Sequence, residues 1–247
     1  MGGSLLPPAY VRGMTVIELL PTLHMVEFPV GHAYLWIGSD GVTVVDSGRA
    51  GSAPAIAAAI RSLGHEPSDV RRLLLTHHHE DHVGSAPDIV TWGDVTVYAH
   101  RADAPVIRGE QPGLLPRLAD WERPLYEQVT SGLPPGGPAP VAVDHELEDG
   151  ETVDLGGSVA TAVAVPGHTL GSVAFYLPES RVLFTGDTIA RVPDGRVMLG
   201  VFNVDPQQAV ASLARQARLD VDLACFGHGA PLTENATATL RSVAAAS

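Results

Sequence analysis

The chain has 247 residues, of which 45% are hydrophobic and 17% charged, a composition that indicates a globular protein with a sizeable core. Its formal net charge of −13 disfavours non-specific binding to nucleic acid or to an anionic membrane. No apolar run approaches the roughly 20 residues of a membrane span, and Met1–Pro8 lacks the features of a signal peptide.

The reactive side chains narrow the chemistry further. Cys225 is the single cysteine, so no internal disulfide can form, and we expect a cytoplasmic protein. All 15 basic residues are arginine, which excludes Schiff-base and lysine-nucleophile chemistry. Cys225 falls within a predicted strand and is interpreted as a small buried hydrophobic residue.

Strands dominate the first part of the chain. Alternating hydrophobicity predicts strands at Met14–Leu20 and His24–Phe28. Strands are also predicted at His32–Ile37 and Val42–Asp46, with Gly38–Gly41 as the hairpin turn between them. Ser52 is the predicted N-cap of an Ala-rich helix that ends near Gly64. An apolar run at Val70–Leu75 predicts a buried strand, and a histidine cluster follows it directly. A short helix or turn is expected at Val83–Pro87 and a strand at Val95–Ala99.

Residues 101–140 differ in character because they are rich in proline and glycine. Helical fragments are predicted near Ala102–Arg108 and Leu114–Gln128, whereas Gly132–Pro140 cannot form regular structure. The segment is either a linker between domains or an insertion that covers a site. We favour the insertion, since strands resume without a new domain signature, and we expect residues 1–247 to form a single domain.

Strands and helices alternate again after the insertion. The predicted strands are Thr152–Val153, Val159–Val165, Ser172–Leu177, Val182–Thr185 and Val221–Phe226. Helices are expected at Pro206–Leu219, with Asp205 as N-cap, and at Thr233–Ala245. Two passes with several strands before each helix predict an α/β protein in which two sheets pack face to face with helices outside.

Metal-capable side chains gather at the predicted strand ends. His77, His79, Asp81 and His82 follow the buried strand that ends at Leu75. His168, Asp187 and His228 each follow a later strand and have a glycine beside them, which permits a tight turn. A single histidine of this kind is more often structural than a ligand. Their joint occurrence at one edge of a sheet predicts a metal centre.

This order of residues resembles the metallo-β-lactamase-fold hydrolase superfamily. The motif His77-x-His79-x-Asp81-His82 is supported by Val45–Gly48 and by Phe184–Asp187, and the resemblance runs from about Val30 to His228. It implies a four-layer αββα sandwich of two mixed β-sheets flanked by helices. By matching position it also implies a first metal on His77, His79 and His168, a second on Asp81, His82 and His228, and Asp187 as the bridge.

The implied centre suggests a hydrolytic mechanism. Two Zn²⁺ ions per chain are expected, and Mn²⁺ or Fe also suits these ligands. Two such ions can share a hydroxide that attacks a carbonyl, and Asp81 can steer that nucleophile or move a proton. His78 and Glu80 are expected to face away from the metals. Asp46 is expected to anchor a ligand, and the other histidines are interpreted as structural.

The resemblance leaves the substrate open. A small ester, thioester or lactone is expected, as in glyoxalase II-like thioesterases and lactonases, and no partner beyond a small molecule is predicted. Asp187 disfavours β-lactamase-like amide hydrolysis, because true β-lactamases of this superfamily generally lack it. The chain ends soon after His228, which disfavours a classical glyoxalase II with its additional helical region.

Other functions also fit the motif. The alternatives are a mononuclear iron oxidoreductase that resembles persulfide dioxygenases and a metal-binding protein without catalysis. Arg108, Trp121 and Tyr126 of the insertion are expected either to contact substrate or simply to pack. No sequence pattern predicts the oligomeric state.

Overall fold

The structure is a computed structural model that describes residues 15–131 and 137–247. The start of the chain, including Met1–Pro8 and Met14, lies outside the described residues, as does part of the predicted irregular run Gly132–Pro140. Within the described ranges, no helix combines the length and the apolar character that crossing a membrane requires.

The described residues form strands and helices in the following order. The strands are β1 (Thr15–Leu20), β2 (Leu23–Glu27), β3 (His32–Gly38), β4 (Gly41–Val45), β5 (Val70–Leu74), β6 (Thr96–His100), β7 (His145–Leu147), β8 (Thr152–Asp154), β9 (Val159–Ala164), β10 (Val173–Leu177), β11 (Val182–Phe184), β12 (Ile189–Arg191), β13 (Val197–Leu199) and β14 (Leu223–Cys225). The helices are α1 (Ala53–Ser62), α2 (Glu80–Val83), α3 (Ala86–Ile89), α4 (Ala104–Ile107), α5 (Arg123–Ser131), α6 (Pro206–Gln216) and α7 (Ala236–Ala246).

Two mixed sheets form the centre of the fold. The first contains seven strands in the order β1-β2-β3-β4-β5-β6-β7, antiparallel as far as β4 and parallel from there. The second contains five strands in the order β14-β11-β10-β9-β8, with β11 and β14 parallel. The predicted fold, two mixed sheets with helices outside, is therefore confirmed.

Three hydrophobic clusters hold the four layers together. Ile60 of α1 and Leu73 of β5 belong to the cluster between the first sheet and its helices. Trp36 and Phe175 belong to the cluster between the two sheets. Leu213 of α6 belongs to the cluster that covers the outer face of the second sheet. Each fully buried large side chain contributes about 1.5–3 kcal/mol, so these clusters supply the main driving force for folding.

Strand β3 shows how the sequence specifies this layering. Ala33 and Leu35 pack on the helix side of the first sheet, whereas Tyr34 and Trp36 pack on the side that faces the second sheet. Successive side chains of a strand point to opposite faces, and both faces of this strand are buried. The run is therefore apolar throughout, unlike a strand that has one face in solvent.

The same capping argument predicts two helix starts, and the structure has both N-cap residues where predicted but a side-chain capping bond at only one of them. The Asp205 side chain accepts hydrogen bonds from the amides of Gln207 and Gln208, so the predicted cap of α6 is confirmed. Ser52 also occupies the predicted N-cap position of α1, but without the capping bond. Ser52 has helical backbone angles and makes no side-chain capping bond, and its amide instead donates to Ser85 Oγ at 2.8 Å.

Candidate metal centre

The predicted ligands lie at one end of the two sheets. His77 to His82 follow β5, His168 follows β9, Asp187 follows β11 and His228 follows β14. Because β4 is parallel to β5 and β11 is parallel to β14, their carboxyl ends reach the same edge. The amide of Val173 donates to the carbonyl of Thr76 at 2.9 Å, which joins the two sheets directly beneath this edge.

Three histidines form the first group of ligand atoms. The imidazole rings of His77, His79 and His168 lie edge to face, with ring centroids 4.7 Å apart for each pair. Nε2 of His168 lies 2.9 Å from Nδ1 of His79. His77 and His168 are buried and come from different sheets. The three nitrogens lie close enough together to bind one ion.

The second group combines two histidines and a carboxylate. Oδ2 of Asp81 lies 3.1 Å from Nε2 of His228 and 3.8 Å from Nε2 of His82. Asp81 and His82 belong to the single-turn helix α2, which presents both side chains towards His228 on the opposite sheet. These three ligand atoms also lie close enough together to bind an ion.

Asp187 lies between the two groups. Its Oδ2 is 3.9 Å from Nε2 of His77 and 3.7 Å from Nε2 of His168, both in the first group. The same oxygen is 3.1 Å from Nε2 of His228, and Oδ1 is 3.3 Å from Nε2 of His82, both in the second group. The structure thus brings all seven predicted ligands together, with Asp187 within 3.9 Å of histidine nitrogens from both groups.

The histidines are oriented through their second ring nitrogens. Nδ1 of His77 lies 3.1 Å from Thr76 Oγ1, and Nδ1 of His168 lies 3.0 Å from the carbonyl oxygen of Val201. Nδ1 of His82 lies 2.8 Å from Asp46 Oδ2. In all three, Nε2 is left to face the centre, which is the arrangement that metal-binding histidines require.

Asp46 has the anchoring contacts that were expected of it. One carboxylate oxygen accepts a hydrogen bond from the Thr76 amide at 2.8 Å, and the other accepts one from Thr76 Oγ1 at 2.8 Å, in addition to its contact with His82. Asp46 is buried and has a φ of 57°, in the left-handed region that aspartate and asparagine tolerate better than most residues. It ties the end of β4 to both ends of the histidine motif.

Burial and charge divide the histidines into two kinds. Burial, reinforced by neighbouring histidines, holds the pKa of His77 and His79 well below the usual value, so both are neutral. The charge of Asp187 raises the pKa of His228 to about 10. Burial opposes ionisation of His82, but nearby carboxylates, Asp187 foremost, outweigh it and raise the pKa of that imidazole well above its usual value. In the metal-free chain, the protonated imidazoles of His82 and His228 therefore carry the positive charge that faces Asp187.

This charge pattern predicts how metal affinity depends on pH. A protonated imidazole cannot coordinate a metal, so an incoming ion must displace the protons of His228 and His82. Affinity should rise as pH increases from about 6.5 to about 8.5, by about tenfold per pH unit for each displaced proton. Competition with a chromophoric chelator at several pH values measures this slope. An affinity that is independent of pH would show that these histidines are already neutral or do not bind the metal.

The two spacer residues of the motif face away from the ligand atoms. Nδ1 of His78 lies 2.9 Å from Asp103 Oδ2, and its Nε2 faces Gly113 of the insertion. The side chain of Glu80 is buried. Its Oε1 accepts a hydrogen bond from the Ala50 amide at 3.0 Å, and its Oε2 lies 3.5 Å from Arg49 Nε.

Asp103 is a supporting residue that sequence reasoning missed. Its buried carboxylate accepts hydrogen bonds from Thr169 Oγ1 and from the Gly171 amide, both at 2.8 Å, as well as from the His78 amide at 3.0 Å. These contacts connect the loop of His77 and His79 with the loop of His168. Ordinary sequence patterns carry no signal for it, because its partners are distant in the chain.

His32 is the histidine outside the motif that lies nearest the centre. Both of its ring nitrogens are buried without a hydrogen-bond partner among the described residues. Burial, followed by the charge of His228, lowers its pKa to about 4, so the ring is neutral. Gly31, just before it, has a φ of 70°, and an added Cβ would lie 2.6 Å from the carbonyl oxygen of Asp81. The start of β3 therefore packs directly against the metal-binding turn.

The insertion contacts a loop beside the centre. The amide of Phe202 donates to Glu122 Oε1 at 2.9 Å, and the amide of Arg117 donates to the carbonyl of Asn203 at 2.8 Å. The ring of Tyr126 packs against that of Phe202 with centroids 5.2 Å apart. The other two insertion residues expected to contact substrate or to pack lie differently: Trp121 is 61% exposed, and Arg108 pairs with Glu110 and Glu146.

Comparison with known proteins agrees with this geometry. The sequence profile described as "Metallo-beta-lactamase superfamily" matches residues 27–228. The chain therefore belongs to the metallo-β-lactamase superfamily, as its motif predicts.

Several relatives carry the name hydroxyacylglutathione hydrolase. The protein from Fuscovulum blasticum is 32% identical over 71% of this chain and 55% of its own length. The protein from Rhodobacter capsulatus is 28% identical over 84% of this chain and 66% of its own length. The protein from Yersinia pestis is 33% identical over 79% of this chain and 61% of its own length. This chain thus spans slightly more than half to about two thirds of the length of the relatives it matches.

Solved structures share the fold. A metallo-beta-lactamase family protein from Thermus thermophilus is similar with a TM-score of 0.67 and 26% identity, covering 93% of this chain and 79% of the other. A subclass B3 metallo-beta-lactamase from Bradyrhizobium japonicum gives a TM-score of 0.67 at 21% identity, covering 94% and 89%. At this identity the second similarity concerns the fold alone.

Proposed function

We propose that this protein is a hydrolase that uses two metal ions to cleave a small thioester, ester or lactone. The observation that carries the proposal is the position of Asp187, within 3.9 Å of histidine nitrogens from both ligand groups. Among the candidate bonds we favour the thioester, because the relatives named hydroxyacylglutathione hydrolase reach about 30% identity.

The residues present fit a pair of divalent ions. Nε2 of His77 is buried without a hydrogen-bond partner among the described residues, which is costly unless a cation meets it. Five imidazoles with two carboxylates form a donor set that suits Zn²⁺, and also Mn²⁺ or Fe. We assign His77, His79 and His168 to one ion and Asp81, His82 and His228 to the other, with Asp187 shared.

The metal ions and Asp81 would have different roles in hydrolysis. When bound, such ions supply an acidified water as nucleophile and polarise the carbonyl under attack. Asp81 is the catalytic residue we assign for proton movement, since its carboxylate lies at the centre and is 20% exposed, open to a substrate. Burial disfavours its ionised form, but the charges of His82 and His228 outweigh this and hold the pKa of Asp81 below its usual value, so the carboxylate is ionised.

We also propose that the insertion covers the centre and that the described chain works as one domain. The contacts of Glu122 and Tyr126 with Phe202 support this, because the neighbouring Val201 carbonyl holds His168. The absence of a second cysteine supports a cytoplasmic location.

Metal analysis together with a substrate panel tests the proposal. We expect about two metal ions per chain and turnover of hydroxyacyl thioesters, with weaker activity on lactones and aryl esters. The panel should include a β-lactam. One iron per chain with sulfide-dependent oxygen uptake would instead establish the oxidoreductase alternative, and full metal loading without turnover of any member would establish a binding protein.

A further inference from the structure

A cavity of about 500 Å³ opens directly beside the metal centre. Asp187 and His228 form the wall on the side of the ligands. The β12–β13 hairpin and Leu125 from helix α5 of the insertion also line the cavity. A volume of this size suits a small organic group, and the position next to two ligands places that group beside the reacting bond.

Most of the side chains around the cavity are hydrocarbon or thioether groups. They include Leu125, Ala190, Val192, Met198, Leu199 and Val201. Arg191 is the one arginine among the described residues around the cavity, and two of its N–H groups donate to backbone carbonyls. Nε donates to the carbonyl of Gly195 at 3.1 Å and Nη1 to the carbonyl of Pro231 at 2.9 Å. An apolar group in this cavity would meet hydrocarbon on several sides.

We propose that this cavity binds an uncharged, apolar part of the substrate, a hydrocarbon chain or ring on the acyl or the thiol side of the scissile bond. The inference rests on the proposed function and makes its substrate class more specific. Burial of each methylene from water favours binding, and the chain would select apolar thioesters over those whose distal group is a carboxylate.

The insertion provides a matched pair of residues for testing this. Of the seven large hydrophobic side chains that are exposed among the described residues, five lie between residues 114 and 129: Leu114, Leu115, Trp121, Leu125 and Val129. Leu125, which is 41% exposed, lines the cavity, whereas Leu115, which is 80% exposed, is not among the lining residues. Both substitutions remove an exposed leucine side chain, but only the one at Leu125 changes the lining of the cavity.

The experiment uses the metal-loaded protein with two thioester series, one of increasing acyl length and one of increasing thiol length. Each series also includes a member that ends in a carboxylate. In at least one series we expect kcat/KM to rise about fourfold per added methylene until the cavity is filled, and the carboxylate to cost about tenfold or more. Leu125→Ser should reduce the gain from chain length, and Leu115→Ser should leave it unchanged.

Binding of non-hydrolysable thioether analogues provides a readout that does not require turnover. Calorimetry should show tighter binding with chain length and a negative heat-capacity change, both reduced by Leu125→Ser. Turnover with no dependence on chain length in either series, or with preference for the carboxylate, would overturn this inference and leave the proposed function intact. Thioether binding with chain-length dependence but no turnover would instead overturn the proposed function alone.

Discussion

Replacing Asp187 with alanine should remove metal and activity together. The carboxylate lies within 3.9 Å of ligand nitrogens on both sides of the centre, so its loss leaves neither ion with a complete set of ligands. It also leaves His82 and His228 without the charge that most strongly raises the pKa of each imidazole. We expect less than about one metal ion per chain and a fall in kcat/KM on the order of 10³-fold, because two-metal sites supply several kcal/mol of transition-state stabilisation.

Elemental analysis and initial-rate kinetics on the same preparations measure both effects. Asp222→Ala is the matched control, because it removes an aspartate whose side chain is 67% exposed and pairs with Arg181 on the surface. The control should retain its metal and its rate. Full metal content and activity in Asp187→Ala would rule out the bridging role, and retained metal with lost activity would limit Asp187 to catalysis.

Asp46→Asn should weaken metal binding about 10–100-fold while the fold survives, since carboxylates that orient ligating histidines contribute at this level. Asparagine has the same shape as aspartate and tolerates the φ of 57° at this position. It can still accept from the Thr76 amide through one oxygen. Its amide group, however, replaces the carboxylate oxygen that lies 2.8 Å from Nδ1 of His82 and from Thr76 Oγ1.

Chelator competition gives the metal affinity, and thermal unfolding in excess chelator gives the stability of the metal-free chain. Asp144→Asn is a suitable control, because that carboxylate accepts a hydrogen bond from the Val97 amide at 2.8 Å in another part of the first sheet. It should alter stability slightly without changing metal affinity. An Asp46→Asn protein that binds metal as tightly as the wild type would show that His82 does not depend on this anchor.

The metal motif could be predicted because its signals are local or repeated. His77 to His82 lie within six residues, and each remaining ligand follows an apolar strand and has a glycine beside it. Strand ends are easy to locate from hydrophobic runs, and the carboxyl ends of parallel strands necessarily meet at one edge.

The wall of the cavity could not be predicted in the same way. Strands β12 and β13 contain three residues each, too few to show a periodic pattern in the sequence. The turn between them contains Pro193, Asp194 and Gly195. The predicted helix at Leu114–Gln128 is wrong in its first half. Pro116 lies in that half, and the Arg117 amide bonds to the 200–204 loop, so α5 begins only at Arg123.

The supporting carboxylates show a second limit of sequence reasoning. Glu80 and Asp103 look like ordinary surface residues in the sequence, yet both are buried in the structure. Their partners, such as Ala50 for Glu80 and Thr169 for Asp103, are 30 and 66 residues away. Burying a carboxylate is favourable only when such partners are present, and these partners become neighbours only after the sheets have formed.

His79 and His168, which lie 2.9 Å apart, are separated by 89 residues in the chain and belong to loops on different sheets. A complete ligand set therefore exists only once the two sheets have docked, so tight metal capture must come late in folding. Each sheet alone offers only part of the set: His77 to His82 follow a strand of the first, and His168, Asp187 and His228 follow strands of the second. Bound metal would therefore stabilise the docked sheets, because an ion that is bound by the native chain alone shifts the folding equilibrium towards that state.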